Sequence, residues 1–90
     1  MGTKARPKPQ RLPGKLREIR LRLGLTLEQL VERFKDVPGA VGTGPLSRYE
    51  TGDREPSLLI LLAYAELVGI STDVLIDDRR DLPEKLKIRK

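Results

Sequence analysis

The sequence predicts a compact all-α fold: five short helices in one domain, with a basic arm before them and a basic tail after. Three observations lead there. Apolar residues recur at three- and four-residue spacing rather than in alternation. Residues that cap helix starts, and glycines that end helices, punctuate the chain at matching intervals. No β-branched, alternating run competes as a strand. Ninety residues suffice for one small core and no second one.

Residues 1–11 hold two prolines and no apolar periodicity, and read as a flexible basic arm. After Pro13-Gly14 a first helix carries Leu16, Ile19 and Leu23 on one face, with Leu12 beneath its start and Gly24 as its stop. Thr26 and Gln29 form a capping box for a second helix, whose apolar face is Leu27, Leu30, Val31 and Phe34. Three glycines and a proline within residues 35–44 cannot sustain a helix. A third helix begins near Thr43–Pro45, with Pro45 suited to a first turn, and ends at Gly52. Ser57 caps a fourth helix that Gly69 ends, and Ser71 starts a short fifth one to about Ile76. Asp81-Leu-Pro-Glu84 has the pattern of one more helix start inside the tail, residues 79–90.

Composition narrows the chemistry. With no cysteine and no histidine, disulfides, the usual zinc ligand sets and thiol nucleophiles are excluded. Ser47 and Ser57 have no histidine to activate them, so an enzyme is not expected, nor a cofactor or small-molecule ligand. The longest apolar run falls far short of the ~18 residues of a membrane span, and no secretory signal precedes it, so a cytoplasmic location is expected. Charge is divided unevenly. Residues 1–22 carry eight Lys/Arg against one Glu, residues 79–90 six against two acids, and the 23–78 body four against ten. A net charge of +5 therefore hides an acidic body between basic ends. If nucleic acid is the partner, the ends and the first helix must supply much of the phosphate attraction.

The most informative run is Ser-Arg-Tyr-Glu-Thr-Gly-Asp-Arg-Glu-Pro, residues 47–56. It follows Leu-Gly-Leu-Thr-Leu-Glu-Gln-Leu (23–30) by about twenty residues and precedes the apolar run Leu58–Ala65. A capped helix, a turn, a second helix with a polar outer face and then a buried helix is the layout of a helix-turn-helix reader of double-stranded DNA. In order and residue type, Leu12 to Ile76 resembles the phage-repressor and Cro-like helix-turn-helix family, often called XRE.

The resemblance implies a sequence-specific transcriptional regulator of the repressor kind. It pairs Arg20 with Glu50 in an ion bridge that sets the angle of the reading helix, and makes Tyr49, Leu61, Tyr64, Ala65, Val68 and Ile70 packing residues. The base-reading places fall at Thr43, Gly44, Ser47 and Arg48, of which Gly44 reads nothing. Thr26 and Arg54 match phosphate-clamping positions, with Lys35 and the arm residues Arg6, Lys8 and Arg11 as further phosphate contacts. For Lys35 the plainer alternative is a solvated loop charge.

Two departures stand against the pattern. The turn between the second and third helices is about five residues longer than the usual three or four, and Val31 stands where a small residue fits a tight turn. Helices two and three are therefore expected to sit further apart than usual. The fourth helix carries Leu59, Ile60, Ala63 and Leu67 where polar residues are usual. That stripe, with Leu75 and Ile76, is the expected interface of a homodimer. The alternative function is a protein-interaction module of the same fold, antitoxin-like or coactivator-like, that uses this apolar face for a protein partner.

Overall fold

Leu12, Leu16 and Ile19 share one face of helix α1 (Leu12–Leu23), and all three are buried. The computed structural model describes residues 8–39 and 42–86, and its regular elements are all helices. Helix α1 starts at Leu12, ahead of the Pro13-Gly14 pair, because proline in a first turn loses no hydrogen bond there. At its far end Gly24 turns left-handed (φ 70°), and the Leu25 N–H returns to the Arg20 carbonyl at 3.1 Å.

Four further helices follow: α2 (Leu27–Arg33), α3 (Thr43–Thr51), α4 (Leu58–Val68) and α5 (Thr72–Ile76). Each N-terminus arises from local chemistry. Thr26 and Gln29 exchange both bonds of the capping box, at 3.1 and 2.9 Å. The Ser57 hydroxyl accepts from the Ile60 amide and the Ser71 hydroxyl from the Asp73 amide. Gly52 ends α3 at φ 87°, and a Cβ there would meet the Pro13 ring at 3.4 Å, so the end of α3 lies close on the start of α1.

Helix α3 packs on α1 and α2, while α5 packs on α1 and α4. Leu16, Leu30, Leu46, Tyr64 and Leu75 bring one side chain from each helix into a shared core. Phe34, at the end of α2, meets Tyr64 edge-on with ring centroids 4.9 Å apart, a geometry that contributes about 1 kcal/mol beyond the area it buries.

Helices α2 and α3 are in direct contact across the long turn. Within its described part the turn folds back on the end of α2. The Val37 N–H donates to the Phe34 carbonyl at 3.0 Å, and Val37 packs against the core.

The divisions expected at residues 11 and 79 do not mark loose ends among the described residues. The Asp78 carboxylate accepts the backbone N–H groups of Gln10 and Arg11, both at 2.9 Å, and so caps α1 from the far end of the chain. In return Lys15, only 4 % exposed, donates from Nζ to the carbonyls of Val74 and Asp77 and closes the end of α5. Burial, the larger effect, and then the nearby Arg11 hold the Lys15 amine below its ordinary pKa. Among the described residues, 81–86, the helix expected from Asp81 does not form. Its carboxylate, the would-be cap, is taken by the Arg11 guanidinium, Arg22 holds the carbonyls of Pro83 and Glu84, and Leu82 and Leu86 pack on the core. Among the described residues, no helix is long and apolar enough to cross a membrane.

Candidate nucleic-acid interface

Helix α3 divides cleanly into two faces. Leu46 and Tyr49 point into the core, whereas Thr43, Gly44, Ser47 and Arg48 fall together on the opposite side, one turn apart. Gly44 and Arg48 are exposed, and Thr43 and Ser47 half-buried. Its cap, Gly42, brings no side chain to the first-turn amides.

This face is held by one ion pair. Arg20 Nε lies 2.7 Å from Glu50 Oε2, and Nη2 lies 3.0 Å from Oε1, a two-pronged fit of guanidinium to carboxylate. The third arm of the same guanidinium donates to the Leu25 carbonyl at 3.0 Å. One side chain thus ties α1, the link into α2, and α3. The bond to Glu50 raises the Arg20 pKa. Little solvent reaches the pair, with side-chain exposures of 14 % and 7 %. Close by, the buried Tyr64 hydroxyl has no hydrogen-bond partner among the described residues, and burial, then the neighbouring Glu50 charge, push its pKa up.

Around α3 the cations differ in availability. Among the described residues, the side chains of Arg48 and Arg54 form no ion pair, and both are exposed. The loop between them is stitched: the Arg54 N–H donates to the Arg48 carbonyl, and the Thr51 hydroxyl lies 3.1 Å from that carbonyl and from Asp53. Thr26 is exposed at the start of α2, its hydroxyl oxygen occupied by the Gln29 amide and its hydrogen still free to be donated. Lys35 is bound to Glu32 at 3.0 Å, and that bond raises its pKa. Both partners are well exposed, so the bridge is weak and readily exchanged.

The arm residues fare unevenly. Lys8 is exposed. Arg11 is engaged with Asp81 and with the carbonyls of Asp78 and Arg80, so its role is to join the two chain ends rather than to remain a free cation. Arg6 lies outside the described residues.

The expected dimer stripe needs correction in two places. Ile60 and Leu75 are fully buried and belong to the core of a single chain. Leu59 and Ile76 are exposed, and Ala63 and Leu67 half-buried. The exposed row along α4 is instead Leu58, Leu59 and Leu62, at 83, 51 and 43 %. Residues 58 and 62 share a turn-spaced face, a signal the sequence held but that helical spacing alone did not isolate. Compared with known protein families, curated proteins and solved structures, the chain matches none.

Proposed function

We propose that this protein is a double-stranded DNA-binding transcriptional regulator of the repressor kind, related to the XRE helix-turn-helix proteins, that reads the major groove with the outer face of α3. The observation that carries this reading is the combination of a rigidly anchored α3 with a polar outer face and unpaired arginines. Arg20 and Glu50 fix the helix from behind, while Ser47 and Arg48 stand on the free side. Base contacts need such rigidity, since a side chain can grip one base edge only if its helix arrives at one angle.

Roles divide by chemistry. Arg48 reads guanine with its two-pronged donors, and Ser47 and Thr43 donate or accept beside it. Arg54 and the Thr26 hydroxyl hold phosphates on either side. Glu28 and Asp53 near these positions repel the backbone, so affinity depends on the basic ends for its long-range part.

Selection of bound duplexes from a random library at about 0.15 M salt tests the reading, because screening at that strength suppresses loose phosphate binding. Enrichment of a short motif with guanine at a fixed place supports it. A palindrome with half-sites one helical turn apart would add a two-fold assembly. Absence of any enriched motif overturns base reading by α3.

A further inference from the structure

The turn between α2 and α3 is longer than a helix-turn-helix requires, and its residues 36–38 build something. Asp36, Val37 and Pro38 form one wall of a shallow groove of ≈ 190 Å³, and Leu59, Leu62, Ala63 and Glu66 of α4 form the other. Val37 anchors the turn to the core, so this wall is held in place. The floor is apolar, and Leu58 extends the apolar strip by one helical turn. Of the charged groups lining the groove, both are acids, Asp36 and Glu66, and neither forms an ion pair among the described residues.

We propose that this groove docks an amphipathic helix from another protein, one with leucine-like anchors on one face and Lys/Arg along its flanks. Helix-in-groove recognition needs an apolar trough to take anchors at helical spacing, and rim charges opposite to those of the ligand. Both are present. A second copy of this chain fits less well on two counts. Its groove would bring the same acidic rim, with no base to answer it. The three exposed leucines also amount to less than two fully exposed leucine residues, on the order of 300 Å² of surface. A stable pair of proteins buries roughly 800 Å² on each side. A single helix laid in a trough matches the smaller footprint. The proposal does not rest on the DNA reading, since it uses α4 and the turn rather than α3.

The test titrates the ¹⁵N-labelled full chain with a synthetic helical peptide carrying leucines at i, i+3, i+4 and i+7 and lysines on its flanks. A twin peptide with glutamates in place of the lysines serves as comparison. Amide shifts confined to Asp36, Val37 and residues 58–67, with the lysine peptide at least about ten-fold tighter than its twin, are expected. The variant carrying Leu59→Lys and Leu62→Lys should lose the lysine peptide while keeping the helical circular dichroism of the parent, since both positions face solvent. Equal affinity for the two peptides, or shifts centred elsewhere, overturns the proposal. So does a dimer in sedimentation equilibrium that Leu59→Lys disperses, because a second copy would then already occupy the groove.

Discussion

Replacing Arg20 by methionine should cost this domain about 3–5 kcal/mol, the range for leaving a buried charge without its partner. The structure supplies the reasons. Glu50 is only 7 % exposed on its side chain, so water cannot easily take the guanidinium's place. Two charge-assisted bonds are lost with it, and the Leu25 carbonyl loses its donor as well. For a domain of this size, stable by about 5–10 kcal/mol, that is a large share of the total. Glu50→Gln keeps the shape and one acceptor, and should cost less, about 2–3 kcal/mol. The decisive member is the double variant Arg20→Met/Glu50→Gln, which removes both charges at once. It should be more stable than Arg20→Met alone, with a coupling of about 2–3 kcal/mol in the cycle. Urea unfolding followed by circular dichroism reads all four proteins at constant pH and salt. Single costs below about 1 kcal/mol that simply add would show a solvated surface pair. The idea that this pair fixes the angle of α3 would then fall.

Four more expectations follow from the same contacts. Tyr64→Phe removes a buried hydroxyl with no partner among the described residues, so stability should hold or rise by up to about 1 kcal/mol; a loss of more than that would reveal a hydrogen bond through ordered water. The Asp77 carboxyl is held down to about 2, first by the hydrogen bonds of Arg79, and Asp78 is also lowered, first by the backbone N–H groups of Gln10 and Arg11. Folded-state values below the unfolded ones mean stability that is full above the ordinary carboxylate range and lost as pH falls through it towards about 2. Asp78→Asn should lower the melting temperature near neutrality and flatten that acid slope, and an unchanged slope would clear Asp78 of the capping role. Arg54→Ala should weaken binding to all duplexes alike and reduce the salt slope by about 0.9, whereas Arg48→Ala should relax preference at one base position; quantitative gel shifts over a salt series separate the two.

Much of this fold is legible in the chain because its boundaries are set by local chemistry. Thr26 with Gln29, Ser57, Ser71, Gly24, Gly52 and Gly69 each act on residues within one turn, so their meaning survives without knowledge of the rest. The outer face of α3 is legible for the same reason, since Leu46 and Tyr49 fix which side turns inward. Helix α4 is harder. It is apolar nearly all round, and a period cannot choose a face when few polar residues mark the other one, so spacing puts the buried Ile60 on the outer stripe and leaves out the exposed Leu62. The clasp between the ends has no local signature at all. Asp78 caps α1 across 67 and 68 residues, and Lys15 reaches Val74 across 59. Arg22 holds the carbonyls of Pro83 and Glu84 and the core takes Leu82 and Leu86, contacts that nothing near Asp81 announces, and among the described residues a sound local pattern yields no helix.

The reciprocal capping of α1 and α5 makes the position of the covalent break almost arbitrary. Gln10 and Asp78 are already hydrogen-bonded neighbours, so a peptide bridge leading from the residues after Leu86 back to the segment before Gln10 could join the ends while Leu82 and Leu86 keep their place on the core. New termini could then open in the turn at residues 38–42, which is exposed wherever it is described. Such a rewired chain would keep every helix and every contact of α3 while starting from α3 itself. Its folding would show whether this domain depends on the order of its helices or only on their company.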